Sequence, residues 1–309
     1  WTYLLVFGVF SVFVQKELTK KYLFGIVIIA STMVAYDVYV EYMNHGVRGF
    51  NTHGKPIFFG NIALTTGLIS FILSLDKKNN WWVRGLLLLS AIAGVAGSIW
   101  SQTRGGWIFL ILFSVVFLFG YIISANNKKN SLLFGGGFLI ILFLTALPFS
   151  AAIESRLGYA YSNIEAYFSG GNANTSVGLR FELWRVSIEQ FSNNPIVGSA
   201  RSGFLAIKEN MLSNKTIATK ANILEHAHSD IFWTLGTKGL LGVISLYALY
   251  VLLLRFYYLN TKNMASRPYA WSGLTVVLSY FIYGLSESFF SMKLGIGYFI
   301  IINLVLIRL

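Results

Sequence analysis

Apolar stretches of about twenty residues recur along this chain, and no other feature constrains its fold as strongly. They run roughly over residues 1–15, 22–40, 57–75, 81–100, 107–124, 131–149, 230–254, 269–287 and 289–307. Twenty helical residues extend about 30 Å, the thickness of a bilayer's hydrocarbon core. In lipid only helices or closed barrels satisfy their own backbone, and runs this long mean helices. The predicted fold is therefore all-α, a polytopic transmembrane bundle of about nine spans. The chain opens at Trp1 inside an apolar run, which reads as a piece of a longer protein preceded by further spans. No signal peptide is visible.

Cations set the expected orientation. Five loops or ends carry Lys/Arg clusters: Lys16/Lys20/Lys21, Lys77/Lys78 with Arg84, Lys128/Lys129, Arg255/Lys262/Arg267 and Arg308. If every run crosses, these clusters share one side, which the positive-inside rule makes cytoplasmic. A formal charge of +12 in a chain that is 55% hydrophobic and 12% charged thus reflects orientation rather than nucleic-acid binding. Cysteine is absent, which excludes disulfides and thiolate metal sites and leaves the redox compartment open.

The opposite side then holds residues 41–56, 101–106, a tight turn near Glu287 and the one long loop, 150–229. Its mixed charges and Ser169-Gly170-Gly171-Asn172 suggest a folded extracytoplasmic domain with a mobile segment. Three parts are expected: an N-terminal transmembrane bundle over 1–149, a helical loop domain over 150–229, and C-terminal transmembrane helices over 230–309. Gly135-Gly136-Gly137 has no Lys-Ser/Thr after it and reads as close helix packing, not a phosphate loop.

Cations against the orientation rule call for a reason. Arg104 lies in a short turn between Trp100 and Trp107, where its planar guanidinium suits phosphate oxygens or lipid headgroups. Thr175-Ser176 can cap a helix from Val177 to about Ser192, ended by Asn193-Asn194-Pro195. On that helix Glu182, Arg185 and Glu189 form a solvated stripe, while Arg180 falls opposite, among Trp184, Ile188 and Phe191. A cation on an apolar face needs an anion, either an internal carboxylate such as Glu287 or a ligand phosphate.

His226 and His228 stand just before the run that Ser229-Asp230 starts. An imidazole there can take a hydroxyl proton near neutral pH, or simply bond to backbone. His-x-His can also chelate, but no third ligand has convincing spacing and His-Glu-x-x-His is absent. Arg48 and Lys55, in the basic loop 44–56, can shape an entrance for an anionic headgroup or contact lipid phosphates. Glu287 ends Gly284-Leu285-Ser286-Glu287, where an acid can orient a histidine or neutralise Arg180.

Together these pieces resemble the O-antigen ligase family. The resemblance rests on Thr103-Arg104, Gly178-Leu179-Arg180, and His226-Ala227-His228 leading to Gly236-Thr237-Lys238-Gly239-Leu240-Leu241-Gly242, with Gly-Leu-Ser-Glu where relatives carry an acid. The order Arg, long outer loop, Arg, His matches over nearly the whole chain.

The resemblance implies a GT-C-like fold in the bacterial inner membrane with a periplasmic active site. It implies an undecaprenyl-pyrophosphate-linked glycan as donor and a lipid A-core sugar hydroxyl as acceptor, joined with inversion and without metal or other cofactor. Arg104 and Arg180 would hold the pyrophosphate, and His228 would be the base. His226, Arg48, Lys55 and Glu287 would assist substrate binding. A glycan polymerase or a protein O-oligosaccharyltransferase would use the same donor. A transporter of lipid-linked sugars would show repeated halves and charges near the bilayer midplane, and neither is present.

Overall fold

The computed structural model describes residues 16–45, 56–123 and 150–309, with the isolated positions 129, 136, 140 and 147. The segment 1–15, nearly all of 131–149, and the candidate residues Arg48 and Lys55 lie outside the described residues. Ten α-helices are described: α1 (Lys16–His45), α2 (Pro56–Ser74), α3 (Trp81–Trp100), α4 (Arg104–Ile123), α5 (Ser150–Phe168), α6 (Gly178–Asn193), α7 (Ala200–Ser213), α8 (Asp230–Asn260), α9 (Arg267–Gly284) and α10 (Lys293–Arg308). Short 3-10 turns occupy Thr219–Ile223 and Phe289–Ser291. No strand is present among the described residues. Glu17–Glu41 within α1, together with α2, α3 and α8, are long and apolar enough to cross a membrane.

The chain divides into two compact units, one of Trp1–Ile153, Leu254–Ile282 and Gly297–Leu309, the other of Glu154–Leu253 and Tyr283–Ile296. In the first unit α2 is the central helix, and α3 packs on it through glycine. A Cβ on Gly94 would sit 2.5 Å from the Ala63 carbonyl oxygen and 2.7 Å from Gly67 Cα. Small residues let two backbones approach where lipid supplies no hydrophobic drive for association. Hydroxyls add cross-links: Ser70 Oγ to Ser90 Oγ at 3.0 Å and Thr65 Oγ1 to Ser279 Oγ at 3.2 Å. Arg84 Nε donates to the Ser74 carbonyl at 2.8 Å, satisfying one acceptor at the end of α2.

The second unit is built around α6. Thr175 Oγ1 accepts the Gly178 N–H at 3.0 Å, and the helix ends at Asn193, one residue beyond expectation. Its inner face, Leu179, Leu183 and Val186, packs with Phe204, Ile217, Ala221 and Ala227. The expected solvated stripe is corrected at Glu182, which is 3% exposed. Glu182 accepts hydrogen bonds from Tyr167 OH at 2.7 Å and the Ala218 N–H at 3.2 Å, and pairs with Arg185 at 3.3 Å. The end of α5 and the segment before the first 3-10 turn cover this face, which periodicity within α6 could not reveal.

Helix α8 is broken at Gly239, whose φ of 61° and ψ of −160° interrupt the helical ladder. The Leu240 and Leu241 N–H groups donate instead to the Pro195 and Ile196 carbonyls, at 2.8 and 3.1 Å. Ser199 N–H donates in turn to the Gly236 carbonyl at 3.3 Å. A Cβ on Gly239 would lie 2.5 Å from the Ile196 carbonyl, so glycine is required by both conformation and contact. The glycine-rich run at the start of α8 thereby ties the α6–α7 connection to this helix.

Candidate active site

Three hydrogen bonds join the start of α8 to the turn after α9. Ser229 N–H donates to Ser288 Oγ at 3.0 Å, Ser229 Oγ to the Gly284 carbonyl at 3.2 Å, and Phe290 N–H to Asp230 Oδ1 at 2.8 Å. This clamp brings Glu287 to a histidine 59 positions earlier in the chain. His228 Nδ1 lies 3.0 Å from Glu287 Oε1 and 3.1 Å from Oε2. His226 Nδ1 is 3.8 Å from Oε1. The side chains of His226 and His228 are 23% and 19% exposed and Glu287 only 4%, so the imidazoles are reachable while the acid lies beneath them.

Local backbone aims the imidazoles. His228 adopts a φ of 48°, a left-handed conformation that costs a non-glycine residue of order 1 kcal/mol or more and must be held by its surroundings. Its N–H donates to His226 Nδ1 at 3.3 Å, and the two rings lie 4.2 Å apart. Trp184 Nε1 donates to the Ala227 carbonyl at 3.0 Å, and its ring stacks on Phe232 at 4.6 Å. The contacts of Ser229, Ser288 and Trp184 with the segment around His228 were not foreseen from the sequence. The sequence had marked Trp184 as an indole on the face of α6 shared with Arg180, and Ser229 as the start of the run after His228.

The electrostatics sort the groups into roles. Burial pushes His226 down to about 4, with His228 adding to the effect, so His226 is neutral at pH 7 and free to accept the His228 N–H. For Glu287, burial alone would raise the pKa, but the His228 hydrogen bond and the two imidazoles bring it below the ordinary carboxylate value. An ionised carboxylate only accepts, so a neutral His228 ring would donate its Nδ1–H to Glu287 and carry its lone pair on Nε2. That is the tautomer of a general base oriented by an acid.

Arg180 sits in the first turn of α6, where the helix dipole disfavours a cation and favours an anion. Burial lowers its pKa, opposed by the charge of Glu287. It makes no ion pair within 4.0 Å among the described residues, and its buried Nε has no hydrogen-bond partner. Arg104 belongs to the first unit and opens α4. Its turn is fixed by Ser101 Oγ to Thr103 Oγ1 at 2.7 Å and Thr103 Oγ1 to the Pro56 carbonyl at 3.3 Å.

His226, His228 and Glu287 place potential ligand atoms within 4.8 Å of one another, a set that could hold a metal ion. Glu287 is the third ligand that spacing along the sequence did not offer. Two imidazoles and a carboxylate suit zinc.

Comparison with known proteins follows the same residues. The sequence profile described as O-antigen ligase matches residues 89–247, from α3 into α8. The chain belongs to the O-antigen ligase family. The matched region contains Arg104, Arg180, His226 and His228, and stops before Glu287. An uncharacterized protein of Haemophilus influenzae is 30% identical over 246 residues, which cover 77% of this chain and 61% of that protein. The O-antigen ligase of Escherichia coli is 22% identical over 275 residues, 84% of this chain and 62% of its own length. The chain thus spans about three fifths of the length of these curated relatives.

Proposed function

We propose that the chain transfers a glycan from an undecaprenyl-pyrophosphate carrier to a sugar hydroxyl of lipid A-core, as an inverting, metal-independent glycosyltransferase. The observation that carries this reading is the His228–Glu287 pair, with Nε2 left as an acceptor at a partly open surface. In the reaction, the acceptor oxygen attacks the anomeric carbon while the bond from that carbon to the pyrophosphate oxygen breaks. The hydroxyl proton passes to His228 Nε2, and undecaprenyl pyrophosphate leaves. General-base assistance of this kind is typically worth ~10²–10⁴-fold.

Arg180 meets the charge that grows on the departing pyrophosphate, and its unpartnered Nε is in keeping with that role. Arg104 is assigned the same role from the family resemblance. His226, Arg48 and Lys55 are assigned to substrate binding. The proposed setting is the bacterial inner membrane, with a GT-C-like bundle of about nine spans and residues 150–229 as a periplasmic domain. A polymerase would use the same donor and base but extend another lipid-linked repeat.

The test is to incubate purified protein with a lipid-pyrophosphate glycan and, separately, lipid A-core, a second lipid-linked repeat or an acceptor peptide. Transfer to lipid A-core is expected. Transfer only to the lipid-linked repeat would replace the ligase by a polymerase.

A further inference from the structure

Both histidines ride on the connection between α7 and α8, residues 214–229, which has no regular structure beyond the 3-10 turn at Thr219–Ile223. Such a segment cannot satisfy its own backbone, so partners must come from elsewhere. Side chains supply them. Arg185 Nη1 donates to the Thr216 carbonyl at 3.1 Å, and the Ala218 N–H donates to Glu182 Oε2 at 3.2 Å. The Lys220 N–H donates to Asn174 Oδ1 at 2.9 Å. Nearest the histidines, Trp184 holds the Ala227 carbonyl and Lys208 holds two more. Lys208 Nζ donates to the Asn222 carbonyl at 3.2 Å and to the Leu224 carbonyl at 2.6 Å.

Lys208 is an unexpected residue for that position. It lies on α7 four residues after the core residue Phe204, hence on the same face, and is only 5% exposed. Lysine is almost never buried so deeply unless it is paired. Among the described residues no carboxylate lies within 4.0 Å of it, and the nearby Glu225 pairs with Arg201 instead. A leucine or methionine would fill the same space without the cost of burying a charge. What the ammonium adds is a hold on two carbonyls, the second of them only two residues before His226.

That hold bears on the imidazoles. The left-handed backbone at His228 persists only if the chain is fixed on both sides of it. On one side Ser229 is clamped to Ser288 and Gly284. On the other stand Trp184 and Lys208. The same face of α7 reaches His226 a second way: Phe204 packs edge-on to Trp233 at 5.1 Å, and Trp233 meets the His226 ring at 6.4 Å.

We propose that Lys208 is a positioning residue, whose ammonium holds the Asn222 and Leu224 carbonyls and so keeps His226 and His228 placed against Glu287. That the imidazole so placed acts as a base rests on the function proposed above.

The experiment uses the purified full chain and two readouts. Carbethoxylation of His226 and His228 by diethyl pyrocarbonate, followed by peptide mass spectrometry, reads their placement without any substrate. Glycan transfer gives kcat and KM. Lys208→Met removes the donor at nearly constant volume. Both histidines should then label severalfold faster. The kcat should fall by roughly 10- to 100-fold, the cost of a catalytic group displaced by about 1 Å. KM should change little, and the thermal midpoint should hold or rise, because a buried charge has been removed. Lys208→Arg, which restores a cationic donor, should recover most of the rate and the slower labelling. Arg201→Ala, which breaks the neighbouring exposed pair with Glu225, should match wild type in both readouts.

Unchanged labelling or unchanged kcat in Lys208→Met would overturn the proposal. So would a thermal midpoint that fell along with the rate and was not rescued by arginine, since Lys208 would then serve stability alone. Faster labelling in Lys208→Met, with His228→Ala still transferring glycan normally, would remove the base and leave the positioning of the imidazoles standing.

Discussion

Helices α2 and α8 have nearly equal mean hydropathy over their most apolar windows, 1.8 and 2.0, yet the protein uses them in opposite ways. In that window α2 is 83% buried and α8 only 11%. Helix α2 is an unbroken packing element. Its hydroxyls at Thr65, Thr66 and Ser70 each donate to a carbonyl four residues back, so polar atoms enter the interior already satisfied. Helix α8 is interrupted at Gly239 and borrows acceptors from Pro195 and Ile196. His228 precedes it, and Asp230 and Lys238 lie in its first turns. Hydropathy finds both helices and is blind to the difference, because irregular backbone at membrane depth is allowed only where other protein satisfies it. The irregular helix is the one beside the proposed site.

The largest expected effect comes from removing the base at the head of α8. His228→Ala should lower transfer by ~10²–10⁴-fold, measured with purified protein, while donor binding holds. Near-normal transfer would show that the irregular end of α8 carries no catalysis. Next is Arg180→Lys, which keeps charge but loses the planar fork. A drop of roughly 10²-fold in kcat is expected, with the same direction for Arg104→Lys. Full activity in both would place the phosphate contacts elsewhere.

The glycines set the two helices against each other directly. Gly239→Ala forces a left-handed residue against the Ile196 carbonyl and should destabilise the protein by about 1–3 kcal/mol or more, with loss of transfer. Gly67→Ala meets the Ala91 carbonyl oxygen and Gly94 Cα at 3.0 Å and should lower the thermal midpoint, with less effect on transfer per degree lost. Equal damage to transfer from both would erase the distinction drawn between α2 and α8.

Acid should weaken the site end. His226 has a folded value of about 4 against 6.5 unfolded, so the unfolded chain binds the extra proton between those values. Stability then falls as pH drops from about 6.5 to 4, by at most about 3 kcal/mol, and this contribution is fully present above that window. Glu287 acts in the same direction at lower pH, since its depressed carboxyl loses its contribution as it protonates. Thermal midpoints across pH should show a flatter profile for His226→Gln, and an unchanged profile would remove His226 as the cause. The smallest effect is expected from chelation: EDTA should leave transfer unaltered, whereas inhibition reversed by zinc would favour the three-ligand metal reading.

Much of this was legible before any coordinates. The limits of α3 and α6 fall within a residue of those expected, because apolar runs, an N-terminal Thr-Ser and a terminal Asn-Asn-Pro are local signals. The anomaly of Arg180 was visible as a cation on the wrong face. The sequence left open whether Glu287 would serve a histidine or Arg180. In the structure it hydrogen-bonds His228 and acts on Arg180 only through space. Glu182 was misread because its burial comes from chain more than thirty residues away in one case, Ala218.

Helices in lipid are dictated by the sequence alone, since each residue must bond its own neighbours four positions away and no water offers an alternative. The residue types that the proposed phosphate binding and proton transfer call for were likewise in the sequence. Only tertiary structure decided that Glu287 lies against His228 and that the α8 ladder breaks into the Pro195–Ile196 turn. Those pairings join distant segments or depend on a broken backbone, and they follow from packing, which no local period encodes.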